Sequence, residues 1–404
     1  MNNVPEVAIA SREFKADPYP FYARLRAAAP VYRTLLPDKR PVWLITRYDD
    51  VLVVLKDEQR FTKDWTVAMT PAQQKKMPWL PPMFRPLLRT ILDTDGPEHH
   101  RLRGLIHKAF TPALIEQMRA RIERLSGDLL DAAAPRGRMD IIRDYALPIP
   151  LTIISEMLGV PPRDRANFSR WTKAMINASA GRSSLLAFPQ VWMMIRYINR
   201  LIRERHASPQ DDLISALVQA EESGERLNAD ELLAMIFVLI VAGHETTVNL
   251  IGSGSLALIE NPTQMRLLHL QPELIKNAIE ELVRYVSPVE QATERYASED
   301  VTMHGVTIPR GEMVFAVIAS ANRDEKHFTD GDRLDLTREN SKHLSFGLGA
   351  HYCVGAPLAR LEGQIAIQML VQRYQALHLQ TQPAALRWRP GVTVRGLEAL
   401  PVAF

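Results

Sequence analysis

The chain has 404 residues, 46% of them apolar and 24% charged, with 49 Lys and Arg against 46 Asp and Glu for a net charge of +3. That is the balance of a folded globular protein, and it argues against nucleic acid as a partner, which needs a concentrated basic face. A single cysteine, Cys353, rules out an intrachain disulfide and points to a reducing, cytoplasmic setting.

No basic-then-apolar leader is evident at the start, and the longest uncharged apolar run is residues 232–243. A bilayer-crossing helix needs about 20 such residues, so this run reads as a buried core helix and no membrane anchor is expected. No linker rich in Pro, Gly or Ser divides the chain, so residues 1–404 read as one domain.

In chain order, Asp17-Pro18-Tyr19-Pro20 predicts a helix to about residue 29, with Asp17 as its cap and proline in its first turn. Residues 31–36 and 41–46 read as two short strands around the polar turn Asp38-Lys39-Arg40. Helical spacing returns over 48–56. Five prolines between Pro71 and Pro86 disfavour long regular structure, and Met69, Met77, Trp79, Leu80, Met83 and Phe84 suggest a loop covering something apolar. Helical patterns dominate 99–222, with breaks near Pro135, Pro148-Ile149-Pro150, Pro161-Pro162 and Gly181. Leu227-Asn228-Ala229-Asp230 caps a long helix that ends near Asn261-Pro262, and another helix spans 272–285. Residues 305–309, 313–317 and 392–394 read as short strands. Long helices with a few small sheets predict a mainly α, α+β protein.

The lone thiol stands in Phe346-Gly347-Leu348-Gly349-Ala350-His351-Tyr352-Cys353-Val354-Gly355, just before helical spacing that runs to about Tyr374. Gly347 and Gly349 let the backbone bend tightly and approach a flat ligand. A helix start favours thiolate over thiol, and a thiolate with one open side binds a metal or attacks an electrophile. Zinc is disfavoured because His351 is the only other ligand type nearby. An inert core cysteine is the alternative. Against it, the six matches of Phe-Gly-x-Gly-x-His-x-Cys-x-Gly arise by chance in roughly one chain in a million.

In this segment the chain resembles the cytochrome P-450 family, the haem-thiolate monooxygenases, and specifically the soluble bacterial members. The resemblance implies a single domain with a long central helix over the haem and small sheets to one side. It makes Cys353 the axial sulfur ligand of haem iron, with Phe346 packing beside the sulfur and Gly347 and Gly355 completing the loop around the cofactor, haem b. Three further segments agree in order. Ala242-Gly243-His244-Glu245-Thr246-Thr247 matches the oxygen-side groove, with Ala242 and Gly243 beside the cofactor and Glu245 and Thr246 relaying protons to bound dioxygen. Glu281 and Arg284, joined by Arg338, match a structural ion-pair triad that steadies the cysteine loop. His99 and Arg103 in Asp95-Gly96-Pro97-Glu98-His99-His100-Arg101-Leu102-Arg103, together with Arg295 and His351, match the partners of the haem propionates.

The reaction so implied takes O2, two electrons and two protons, releases one oxygen as water and places the other in a C–H bond of a hydrophobic small molecule. No flavin or iron–sulfur motif is visible, so the electrons are expected from a ferredoxin and its NAD(P)H-dependent reductase, docking on Arg101, Lys108, Lys342 and Arg360. Substrate contacts are expected from 69–88, 171–194, 240–242, 289–292 and Thr393, whose apolar residues include Trp79, Phe84, Met175, Met193 and Met194. Fatty acids, terpenoids or steroids, and polyketides all suit them. The rival readings are a peroxide-driven peroxygenase on the same fold, which usually lacks the acid–threonine pair, a haem carrier or gas sensor, and a haem-free helical binding protein.

Overall fold

Apolar residues at helical spacing give a mainly helical protein, and the strands between the helices are short. The computed structural model describes residues 7–74, 82–179, 184–221, 224–339 and 341–404. Strands β1 (Val31–Leu35) and β2 (Pro41–Ile45) pair antiparallel, Val31 opposite Ile45, around the predicted turn. The other strands are β3 (Phe61–Thr62), β4 (Arg138–Asp140), β5 (Arg295–Ala297), β6 (Val301–Met303), β7 (Val306–Ile308), β8 (Met313–Ala316), β9 (His378–Leu379) and β10 (Pro401–Ala403). They form a five-stranded sheet in the order β1-β2-β8-β5-β3, a three-stranded sheet β4-β10-β9 and the hairpin β6-β7.

Three sequence expectations differ from this arrangement. Residues 392–394 form no strand: the Thr393 carbonyl takes the amides of Glu290 and Gln291, and only Val394 bridges to Val289. Strands β3, β4, β5, β6, β9 and β10 were not anticipated, because two or three residues are too few for an alternating pattern to show. Asp17 caps nothing. It closes the helix Arg12–Ala16, itself capped by Ser11, and Tyr19–Ala28 starts after Pro18, whose ring fixes the first-turn φ. Pro148 marks the start of the helix Pro148–Met157, where its missing N–H costs nothing, and the break expected at Gly181 lies outside the described residues.

The long helix Ala229–Glu260 is capped as expected. The Asn228 side chain accepts from the amides of Asp230 and Glu231, and Glu231 accepts the Asn228 amide in return. It is long and apolar enough to cross a membrane, but 56% of its most apolar window is buried in the protein, as in a core helix. Two glycines fix how closely its neighbours pack. A Cβ on Gly252 would fall 2.2 Å from Ile142 Cδ1, which seats the helix on the turn Ile141–Ala146. A Cβ on Gly363 of the helix Ala356–Arg373 would lie 3.0 Å from Leu250 Cδ2 and 3.5 Å from Ile279 Cδ1. The cysteine helix, the long helix and Ile275–Val286 therefore meet at one point of the core.

Candidate functional site

The Cys353 amide donates to the Phe346 carbonyl at 2.8 Å and closes the loop 346–353 just ahead of the helix Ala356–Arg373. Gly347 and Gly349 are left-handed, at φ 70° and 76°. At Gly349 the close neighbour is protein: a Cβ would lie 3.1 Å from the Leu55 carbonyl, so this glycine lets the loop press on the helix Tyr48–Lys56 and not on a flat ligand. Arg360 covers the Phe346 ring at 4.3 Å and is held in turn by Glu280.

Cys353 is exposed, yet burial is the largest influence on its thiol. The residue is therefore accessible while protein packs closely around its thiol. Burial pushes the thiol pKa up; the amides of Gly355 and Ala356 and the cations Arg103 and Arg360 oppose it without overcoming it. The thiolate bias expected from the helix start is thus present but outweighed. A coordinated metal cation would complete it, because a thiol that ligates a metal loses its proton.

Midway along the long helix, Ala242 is exposed, and a Cβ on Gly243 would meet nothing within 4 Å. This stretch borders open space although the helix is otherwise core. Thr246 Oγ1 donates to the Ala242 carbonyl at 2.7 Å and Thr247 Oγ1 to the Gly243 carbonyl at 3.3 Å, the back-bonding that loosens a helix. Glu245 is half-buried; burial raises its pKa and Arg389, 3.6 Å away, opposes the rise. No hydrogen bond or ion pair among the described residues joins Glu245 or Thr246 to the cysteine loop.

His99, Arg103, Arg295 and His351 come together as a cluster of donors, two of them arginine cations. The His99 and His351 rings lie 4.1 Å apart, and His351 meets Asp95 at 3.3 Å. Burial, His351 and Arg103 lower the His99 pKa to about 4, and its Nδ1 is buried with no hydrogen-bond partner among the described residues. Arg295 is 4% exposed and makes no ion pair among the described residues; burial lowers its pKa to about 10. Arg103 donates to His107 and acts on Cys353, tying the cluster to the thiol. Two members escaped the sequence reading. Lys63 is buried at 3% exposure, donates to Thr293 Oγ1 and the Glu294 carbonyl, and burial beside Arg295 lowers its pKa to about 7. Burial works to raise the Asp95 pKa, but His351, Thr62 and the amides of Lys63 and Asp64 outweigh it and hold the carboxyl well below the usual range. Asp95 had a local sign, its place before Gly96-Pro97 at a helix start; Lys63 had none. Buried cations with too few partners fit a ligand bearing carboxylates. The donor set and the accessible sulfur therefore suit a haem, with His99, Arg103, Arg295 and His351 on its propionates.

The expected triad is built. Glu281 and Arg284 are fully buried at 2.7 Å, and Arg338 joins Glu281 at 3.2 Å. Arg284 also donates to the carbonyls of Asn322 and Gly331, and Asn322 binds the Leu344 amide and Ser345 Oγ at the root of the cysteine loop. Of the proposed docking cations, Arg101 is spent on Glu225 and Glu231 and Arg360 on Glu280, whereas Lys342 is exposed. Among the expected substrate contacts, Phe84 packs on Phe188 at 4.5 Å and Met194 is wholly buried in the core, while Trp79 and the side chain of Met175 lie outside the described residues.

A family model described as Cytochrome P450 matches residues 13–271 and 270–396. The polyketide biosynthesis cytochrome P450 PksS of Bacillus subtilis (strain 168) is 44% identical over 399 residues, which is 97% of each chain. Its solved structure has a TM-score of 0.91 at 42% identity, covering 100% of this chain and 99% of that one. The cytochrome P450 monooxygenase PikC of Streptomyces venezuelae is 42% identical over 404 residues, 99% of this chain and 94% of PikC. P450BioI, solved with an acyl carrier protein bearing hexadec-9Z-enoic acid, has a TM-score of 0.86 at 37% identity, covering 98% of this chain and 100% of that one.

Proposed function

The chain belongs to the cytochrome P450 family of haem-dependent monooxygenases, and from that premise we propose that it hydroxylates a hydrophobic small molecule of the polyketide class, with Cys353 as the residue that would hold the haem iron. The observation that carries this reading is the exposed Cys353 under the influence of Arg103, whose cluster also holds the buried cations Arg295 and Lys63, neither of them in an ion pair among the described residues. The polyketide class is favoured by the likeness to PksS.

Haem b, when bound, would supply oxygen activation, and the Cys353 thiolate would donate electron density to its iron. The chain's own residues do the rest. Arg103, Arg295, His99 and His351 would anchor the propionates, and the buried Lys63 adds a fifth donor to the same cluster. Phe346, Gly347 and Gly355 hold the sulfur, with the Phe346 carbonyl fixing the Cys353 amide at 2.8 Å. Ala242 and Gly243 leave room along the long helix. Glu245 and Thr246 supply protons, an acid and a hydroxyl placed side by side for relay through water. Electrons come from a cytoplasmic ferredoxin and its NAD(P)H-dependent reductase, with exposed Lys342 on the docking face.

Reconstitution with a ferredoxin and its reductase tests this. Polyketides, fatty acids and their carrier-protein thioesters are screened by the haem spin-state shift, and the best binder is then turned over. Product formed in step with NAD(P)H consumption is expected. Turnover with hydrogen peroxide but none with any reductase system would instead make it a peroxygenase, and binding without turnover a carrier.

A further inference from the structure

The helices Arg165–Ser179 and Ser184–Ala207 pack against each other, and both touch the long helix. Along the second, Met194, Ile195, Ile198, Leu201 and Ile202 are buried. Trp192, Arg196, Arg200 and Arg203 are exposed, and spacings of three and four set them in one stripe on the opposite side. A cleft of about 490 Å3 opens along that stripe. Trp171 of the first helix lines it together with Trp192, Met193, Tyr197 and the three arginines of the second. Every lining residue comes from these two helices, none from the long helix, the Cys353 loop or the cluster around Arg295.

The charges in the cleft are unevenly satisfied. Arg200 meets Asp164 at 3.2 Å and Glu204 at 3.5 Å. Arg196 lies over the Trp192 ring at 4.7 Å, and neither it nor Arg203 has an ion pair or hydrogen bond among the described residues. Trp171 is 8% exposed, and its indole N–H is buried with no hydrogen-bond partner among the described residues. The aromatic side is fixed in place: the Trp171 and Tyr197 rings lie 5.4 Å apart, and the Tyr197 hydroxyl donates to Asp164 at 3.0 Å.

We propose that this cleft binds small apolar carboxylates, of the kind a medium-chain fatty acid represents, at a site separate from the one at Cys353. The chain covers the aromatic rings and Met193, and the carboxylate accepts from the unpaired Arg196 and Arg203, whose planar forks suit it. Arg196 already rests on Trp192, so little freedom is left to lose when the carboxylate docks. The ligand touches both helices, with Trp171 on one and the arginines on the other. An alcohol of the same chain length forfeits the guanidinium contacts. Nothing in this depends on the chemistry assigned to the haem.

The experiment titrates the haem-loaded protein calorimetrically with decanoate, and with decan-1-ol as the uncharged probe, recording the haem spectrum and the tryptophan emission at each addition. Wild type should show a saturable decanoate event that the haem spectrum does not follow. Arg196→Gln combined with Arg203→Gln should weaken that event about tenfold at an unchanged melting temperature, and decan-1-ol should bind as weakly to wild type. Trp192→Phe should remove most of the emission change, an arm that stands without the arginine variants. Equal decanoate affinity in the double variant, equal binding of decan-1-ol, or heats that all follow the haem spectrum would overturn the inference.

Discussion

Glu362, on the cysteine helix, is fully buried, and neither carboxylate oxygen has a hydrogen-bond partner among the described residues. Burial raises its pKa to about 8, the Thr247 hydroxyl opposing only weakly. The folded protein therefore holds this proton more tightly than the unfolded chain, whose carboxyl titrates near 4.5. Its contribution to stability is fully present below about pH 4.5 and is lost as pH rises towards 8. Glu362→Gln removes that loss. The variant should gain on wild type from pH 5 to 8, then hold a constant lead on the order of a few kcal/mol, read from melting temperatures of the two proteins across that range. At the propionate cluster, Arg295→Gln should leave the fold intact and cut the haem retained after gel filtration several-fold, because the other cations cannot replace its fork. Unchanged pigment content would remove Arg295 from the cofactor site. Cys353 could be read directly, since its spacing of Phe, Gly, His and Gly carries its own improbability. Lys63 could not. A lysine after a two-residue strand carries no local pattern, and only the fold brings it to Arg295.

At the scale of elements, the Glu281–Arg284–Arg338 triad ties the helix Ile275–Val286 to the segment that leads into the cysteine loop. Removing one partner leaves buried charge uncompensated, which costs about 3–5 kcal/mol. Glu281→Gln should therefore lower the unfolding midpoint sharply and yield colourless protein, whereas Asn228→Ala, which removes only the cap of the long helix, should cost about 1 kcal/mol and keep the pigment. Denaturant melts of the two variants side by side check this; equal losses would mean that the triad does not govern the loop. The long helices were legible because their caps and apolar spacing agree, as at Asn228 and Glu231. Apart from β7, which the apolar run at 305–309 announces, the strands of two or three residues were not, since what makes them strands is the partner across the sheet. The stretch 392–394 shows the converse: a β-rich triplet whose carbonyl is claimed by Glu290 and Gln291 never joins a ladder.

For the whole molecule, the proposed chemistry requires three distant segments to face one bound haem: the loop at Cys353, the cluster of His99, Arg103, Arg295 and His351, and the loosened turn at Ala242–Thr246. The carbon monoxide difference spectrum of the dithionite-reduced protein tests that convergence most directly, because a thiolate opposite the bound gas shifts the absorption band to the red and a neutral or histidine ligand does not. Wild type should show the red-shifted band and Cys353→Ser should lose it even where pigment remains. A red-shifted band that survives in C353S, or pigmented wild-type protein without one, would contradict the assignment of this sulfur to iron.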